Sequence, residues 1–423
     1  MTTLRKTRPE RVPPSPKPAA ESNRIVREAP AKLNLTLAVI RRRADGYHAL
    51  HSVMVPLKLV DTVTVSLTGT PSEAASPERF DSLALSGFGV PGTADNLVLR
   101  AIALARAAVA PTWPGAPAEP PPLAAELLKR VPVAAGLGGG SSDAASAMDA
   151  ALEAWDATLS IDRAMAVAAA LGSDVPFFLA CGAARISGRG EFVDPLPDLK
   201  GRQPAVLLVA PRVAVSTREV FQAFSRGARP IHAEAAQEVS ERLAADMASG
   251  LRGIALLGRA AKLASSNDLL HATVAVVPTL LPFRRALARL LALPVGQSGS
   301  GPTCWTLYPS LTEARKAARV VEEALLAGML PEIGHGLPFV AATTILSRPP
   351  ARAADTGTNA TDKDPNAEDN DPSAAKEAVK PGCDAGRKIQ GHRVPHGRHN
   401  VDVSESDSPT EDSVGKSVEH DGR

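Results

Sequence analysis

From Ala31 to Leu37 apolar and polar residues alternate, with Ala31, Leu33, Leu35 and Leu37 on one face of an extended chain and Lys32, Asn34 and Thr36 on the other. That period predicts a half-buried strand presenting a polar row. Val53 to Leu67 continues as strand-like apolar segments, and Asn96 to Val109 has the spacing of a helix. Ala124 to Val133 reads as a strand feeding a glycine-rich run. An alanine-rich helix follows it, with Ala144, Ala145, Met148, Ala151, Leu152 and Trp155 at helical spacing. Ile161 to Leu171 predicts a further helix. Gly172-Ser173-Asp174-Val175-Pro176 reads as a stop followed by a new N-cap, and Phe177 to Ala180 begins another element. Beyond it, Ala205 to Ala210 and Thr303 to Leu307 predict strands, with helices around Thr217 to Phe224, Leu280 to Leu291 and Thr312 to Ala327. Strands and helices mixed in this way predict an α+β fold in two lobes. Pro/Gly-rich breaks near Gly69 to Gly92 and Ala110 to Pro122 read as loops.

The pattern stops at both ends. Residues 1–24 are rich in Pro, Arg and Lys without periodicity, and from Ala351 to Arg423 there is no Leu, Phe, Trp, Tyr or Met. Neither segment can bury a core, so they are expected to be a disordered leader and a disordered tail around lobes at 25–190 and 191–350. The 423 residues are 44% hydrophobic but only 3% aromatic, so the cores must be built from Leu, Val and Ala. A net charge of +2 argues against a general nucleic-acid binder, although Arg5, Lys6, Arg8, Arg11 and Lys17 make the leader locally basic. Charges and prolines stand where a signal peptide would have its apolar core, Glu10 and Glu21 weaken a transit-peptide reading, and no apolar run is long enough to span a bilayer. A soluble cytoplasmic protein is expected, with no membrane contact and no obligate protein partner. Cys181, Cys304 and Cys383 lie far apart without metal-ligand spacing and predict reduced thiols. His392, His396, His399 and His420 in the tail have no framework to make them a metal site.

The run Pro132-Val133-Ala134-Ala135-Gly136-Leu137-Gly138-Gly139-Gly140-Ser141-Ser142 stands between the apolar strand and the alanine-rich helix. Glycines let backbone N–H groups converge, and the helix that follows places the positive end of its dipole on the same spot, so the run suits a polyphosphate. It lacks the Lys-Ser or Lys-Thr of a Walker A loop, and Ser141 occupies the last glycine position of a Rossmann fingerprint. Asp143 beside phosphates would repel them unless turned outward or set near Mg²⁺.

Residues 132–142 fit the pattern Pro-x-x-x-Gly-Leu-Gly-x-x-Ser-Ser, and in this the chain resembles the GHMP kinase superfamily of galactokinase, homoserine kinase, mevalonate kinase and phosphomevalonate kinase. Within it, Ala29-Pro30-Ala31-Lys32-Leu33-Asn34-Leu35 and Arg43-Ala44-Asp45-Gly46-Tyr47-His48 resemble the branch that phosphorylates 4-diphosphocytidyl-2-C-methyl-D-erythritol. Leu171-Gly172-Ser173-Asp174-Val175-Pro176, Ser266-Asn267-Asp268-Leu269 and Ser298-Gly299-Ser300-Gly301-Pro302-Thr303 follow in the same order. The resemblance implies a two-lobed GHMP kinase fold, with an N-lobe like the second domain of ribosomal protein S5 and a ferredoxin-like C-lobe. It implies ATP and Mg²⁺ as cofactors and a small-molecule cytidine diphosphate as the partner substrate. Lys32 and Asp174 are implied as catalytic, residues 132–142 as the ATP loop, and Asn34, Tyr47, His48 and Phe221 as substrate-binding. The loop serines are candidates to help hold Mg²⁺. Gly299 and Gly301 are expected to approach the substrate or the first lobe closely. A different kinase of the superfamily and a non-catalytic nucleotide-binding regulator are the rival readings.

Overall fold

β1 (Arg24–Arg42) and β2 (His48–Leu67) pair antiparallel along most of their length in the computed structural model. Their register shifts between Pro30 and Lys32, between Asn34 and Thr36, and between Val39 and Arg41. Such irregularities re-aim side chains, and the first two bracket Lys32 and Asn34. The structure describes residues 24–68, 81–88, 96–114, 119–180, 182–227 and 233–347. The expected leader, except Arg24, which begins β1, lies outside them, as do the expected tail with its histidines, Cys181 and Cys383.

β2 is long enough to serve two further neighbours. Its C-terminal half pairs with β4 (Leu123–Lys129) and its N-terminal half with β5 (Ala184–Gly188). β3 (Ser82–Gly87) adds in parallel to β4, and β6 (Phe192–Pro195) antiparallel to β5, completing a six-stranded sheet. β3 corrects the expectation of a loop across Gly69 to Gly92. It has only Leu83 and Leu85 to turn inward, and its parallel pairing with β4, which a local pattern does not show, makes it a strand.

Four helices accompany this sheet: α1 (Leu97–Val109), α2 (Gly139–Ala154), α3 (Ile161–Leu171) and α4 (Val175–Leu179). Asn96 starts α1 by accepting the Val98 N–H at 2.9 Å, which satisfies one of the free donors of the first turn. Ile102 and Met148 pack with Val63, Val65, Leu123 and Leu127 into a core beneath α1 and α2.

A second sheet holds β7 (Ala205–Ala210), β8 (Gly296–Gln297), β9 (Cys304–Tyr308) and β10 (Phe339–Thr344) in the order β10-β7-β9-β8, every neighbour antiparallel. Its helices are α5 (Thr217–Ser225), α6 (Ala233–Ala248), α7 (Gly253–Leu257), α8 (Ala260–Ser265), α9 (Leu270–Val276), α10 (Leu280–Leu291) and α11 (Leu311–Leu326). None of the helices among the described residues is long and apolar enough to cross a membrane.

Leu33, Leu35, Val55 and Leu57 of the first sheet share one core with Val206, Leu208 and Trp305 of the second. Fully burying side chains of this size stabilises by about 1.5–3 kcal/mol each, so the two sheets are joined as firmly as the parts of one core. That core also corrects the half-buried strand. Lys32, Asn34 and Thr36 are only 3%, 2% and 1% exposed, because the glycine-rich run and the second half of the chain cover the polar row as well.

Candidate active site

The chain leaves β4 at Lys129 and enters α2 at Gly139 through residues 130–138, with Ala134, Gly136 and Gly138 at φ +55°, +83° and +68°. Left-handed backbone at three points coils the run tightly over the first turn of α2. A cavity of about 680 Å³ opens there, walled by Pro132, Ala134, Gly136, Gly138, Gly140 and Ser141 from the expected ATP loop, with Val133, Ala135 and Gly139 also reaching it. Leu137 and Ser142 turn inward and are fully buried. The Ser142 hydroxyl finds no hydrogen-bond partner there.

The loop is clamped from the second sheet. Thr303 Oγ1 donates to the Ala135 carbonyl at 2.6 Å and Ser298 Oγ to that of Gly136 at 3.0 Å. A Cβ on Gly136 would lie 2.3 Å from the Ser298 carbonyl oxygen, and one on Gly301 equally close to the backbone of Ala135 and Gly136. Gly299 approaches the other wall, where a Cβ would stand 3.2 Å from Asn34 Oδ1 and Lys32 Nζ. The close approach expected of Gly299 and Gly301 is therefore met. From the first sheet, Lys32 donates its backbone N–H to the Leu137 carbonyl at 2.8 Å, tying β1 to the loop.

Lys32 and Asp174 meet at the cavity. Lys32 Nζ donates to Asn34 Oδ1 at 2.6 Å and stands 3.5 Å from Asp174 Oδ2. Asp174 occupies the N-cap position of α4, yet its side chain makes no capping bond and remains 31% exposed. A carboxylate serving only as a cap would be turned onto the first N–H groups of the helix. This one faces an ammonium and the open cavity instead.

Asp143 is turned away from solvent and still borders the cavity beside the loop. It points into the protein, where Lys129 Nζ donates to its Oδ2 at 2.7 Å, and Lys129 also pairs with the fully buried Asp61. Asp61 Oδ1 accepts the backbone N–H groups of Arg130 and Val131, the latter at 2.8 Å. Burial pushes Asp143 up to about 7, with Lys129 acting against the shift and Asp61 adding to it. Two carboxylates thus share one ammonium beneath the loop. The sequence reading passed over Asp61 and Lys129. The signal for Asp61 was a charged residue in the middle of the apolar run Val60-Asp61-Thr62-Val63.

At the far end of the cavity, Phe221 on α5 forms part of the wall. His48 stacks on it, with ring centroids 5.3 Å apart and planes at 23°, and lies edge-on to Phe224. Tyr47 is not brought into this group. It is 56% exposed, follows an Asp45-Gly46 turn in which Asp45 Oδ1 accepts its N–H at 3.1 Å, and lies under the Arg189 guanidinium at 5.2 Å. Arg189 itself reaches the cavity. The structure therefore gathers Lys32, Asn34, Asp174, Phe221 and the loop around one space, places His48 behind Phe221, and leaves Tyr47 outside.

The GHMP kinases N terminal domain matches residues 96–182, which contain the glycine loop and Asp174. The chain is 39% identical over 296 residues to the 4-diphosphocytidyl-2-C-methyl-D-erythritol kinase of Pelotomaculum thermopropionicum, covering 69% of this chain and 91% of the relative. To that of Agrobacterium fabrum it is 34% identical over 293 residues, covering 69% and 90%. Among solved structures, a 4-(cytidine 5'-diphospho)-2C-methyl-D-erythritol kinase matches with a TM-score of 0.53 and 30% identity over 76% of this chain and 99% of that one. A homoserine kinase from Cytophaga hutchinsonii, with a TM-score of 0.52 over 77% and 96% of the two chains but 16% identity, shares the fold. With such identities sustained over about nine-tenths of each curated relative, the chain belongs to the 4-diphosphocytidyl-2-C-methyl-D-erythritol kinases within the GHMP kinases.

Proposed function

We propose that this chain transfers the γ-phosphoryl group of ATP to the 2-hydroxyl of 4-diphosphocytidyl-2-C-methyl-D-erythritol, giving the 2-phosphate and ADP, a step of the non-mevalonate route to isoprenoid precursors. The observation that carries the chemistry is the Lys32 Nζ to Asp174 Oδ2 approach of 3.5 Å at the edge of a cavity walled by the glycine loop. Asp174 accepts the proton of the attacking hydroxyl or orients it, and the Lys32 ammonium stabilises charge on the acceptor oxygen and the transferring group.

The residues present fit a magnesium-bound triphosphate. The N-terminus of α2 and the backbone of residues 138–141 offer N–H groups, Ser141 borders the cavity, and the buried Ser142 hydroxyl lacks a partner. When bound, Mg²⁺ offsets the phosphate charge. Asn34 is assigned to the methylerythritol hydroxyls and the Phe221 end to cytidine, with His48 behind it and Tyr47 as a second face. Tyr47 reaches that position by leaving Arg189.

The same reading takes residues 25–190 as a lobe like the second domain of ribosomal protein S5 and 191–350 as a ferredoxin-like lobe. The antiparallel order β10-β7-β9-β8 supports the latter. Lys32→Met and Asp174→Asn test the chemistry. Each should lower kcat for ADP release by about 100-fold or more, with the folded state retained by circular dichroism. A near wild-type rate in either variant overturns the assignment.

A further inference from the structure

Behind the Lys32 and Asp174 pair, Asn34 stands between Lys32 and Ser52. Its Oδ1 accepts from Lys32 Nζ at 2.6 Å, and its Nδ2 donates to Ser52 Oγ at 2.9 Å. Ser52 in turn donates to the Thr36 carbonyl at 2.5 Å. Ser52 is fully buried and Asn34 and Lys32 nearly so, which leaves these groups to satisfy one another.

The chemistry of the two ends permits one orientation of the Asn34 amide. An ammonium offers only hydrogens, so the atom facing Lys32 must be the carbonyl oxygen. A serine hydroxyl has one hydrogen, and here it is committed to the Thr36 carbonyl, so the group facing its lone pairs must be a donor. With the amide reversed, Nδ2 would meet the ammonium hydrogens and Oδ1 the Ser52 lone pairs. Both contacts would be repulsive where water does not compensate. The strand pairing supplies the setting: β1 shifts register between Asn34 and Thr36, opposite Val53 and Met54 of β2, beside Ser52. Thr36 is held in the same place by the Val53 N–H, which donates to its Oγ1 at 3.1 Å.

We infer that Ser52 is a positioning residue for phosphoryl transfer: with its hydrogen held on the Thr36 carbonyl, it fixes the Asn34 amide, and the amide aims the Lys32 ammonium at Asp174 and the cavity. The fixed amide also sets what Asn34 has left to show an acceptor, one hydrogen on Nδ2 and one lone pair on Oδ1. The inference rests on the assignment of Lys32 to the chemistry.

The test is steady-state ADP release with ATP, Mg²⁺ and 4-diphosphocytidyl-2-C-methyl-D-erythritol by Ser52→Ala, Ser52→Thr and Lys32→Met. Ser52→Ala should lower kcat about tenfold or more with KM for ATP unchanged, and Ser52→Thr, which keeps the hydroxyl, should retain the wild-type kcat. In an Asn34→Asp background, where a carboxylate presents an oxygen to Lys32 whichever way it turns, Ser52→Ala should add little further loss. Wild-type kcat in Ser52→Ala, or a loss in Ser52→Thr equal to that in Ser52→Ala, overturns the inference. An inactive Lys32→Met beside a fully active Ser52→Ala refutes Ser52 alone, whereas a fully active Lys32→Met removes the assignment on which it rests.

Discussion

Replacing Gly301 by Ala would place a Cβ 2.3 Å from the carbonyl carbon and oxygen of Ala135 and from the Gly136 nitrogen, where ordinary contact begins near 3.4 Å. All three atoms are backbone, so no side chain can rotate away. The Ala135 carbonyl is held by Thr303 Oγ1 at 2.6 Å and the neighbouring Gly136 carbonyl by Ser298 Oγ at 3.0 Å, so relief requires the glycine loop to move off the second sheet by roughly 1 Å. Overpacking of this kind costs about 1–3 kcal/mol, which in a domain of this size lowers Tm by several degrees and leaves the protein folded at 25 °C. The effect on rate is larger, because a displacement of about 1 Å in a positioning element costs about 100-fold. Steady-state ADP release, with Tm followed by differential scanning fluorimetry, should show kcat/KM for ATP reduced on that order. Gly258→Ala is the control, since Gly258 has φ −65° and its nearest neighbour to an added Cβ is 3.8 Å away. Wild-type kcat/KM in Gly301→Ala would refute the argument that this backbone contact sets the loop.

Two further outcomes follow from buried titratable groups. Burial pushes Asp268 up to about 6 from its ordinary 3.8, against the lowering effect of the Val39 N–H that its carboxylate accepts. Between these values the folded chain holds a proton that the unfolded chain has lost, so this stabilisation is complete below about pH 4 and is lost as pH rises through 6. Asp268→Asn should remove that fall from urea midpoints measured between pH 4 and 7, and a profile parallel to wild type would sink the idea. Burial likewise pushes the Cys304 thiol up to about 12, so iodoacetamide at pH 8 should leave the Cys304 peptide unmodified in the native protein and alkylate it in urea. Labelling of the native protein at Cys304 would contradict its placement in the core.

The parts of the site legible in the sequence are those whose requirements are local. A phosphate loop needs glycines followed at once by a helix, and Gly136 to Ser142 meet that need whatever lies around them. The alternation from Ala31 to Leu37 gave a strand but concealed its second covering. Thr303 and Ser298 reach the loop from more than 160 residues away, and no local period reports such a partner. The same holds for Asp143, whose partners Lys129 and Asp61 converge only when β4 and β2 pair beneath α2. Tyr47 belongs to a legible motif, yet its ring follows Arg189 from the turn between β5 and β6. β3 was hidden because two leucines in a glycine-rich stretch become a strand only beside β4.

The most direct measurement is ADP release by the purified protein with ATP and Mg²⁺ and, in separate reactions, 4-diphosphocytidyl-2-C-methyl-D-erythritol, homoserine, mevalonate and galactose. The account predicts turnover with the cytidylated acceptor alone. Turnover with one of the other acceptors, or with none of the four, would contradict it.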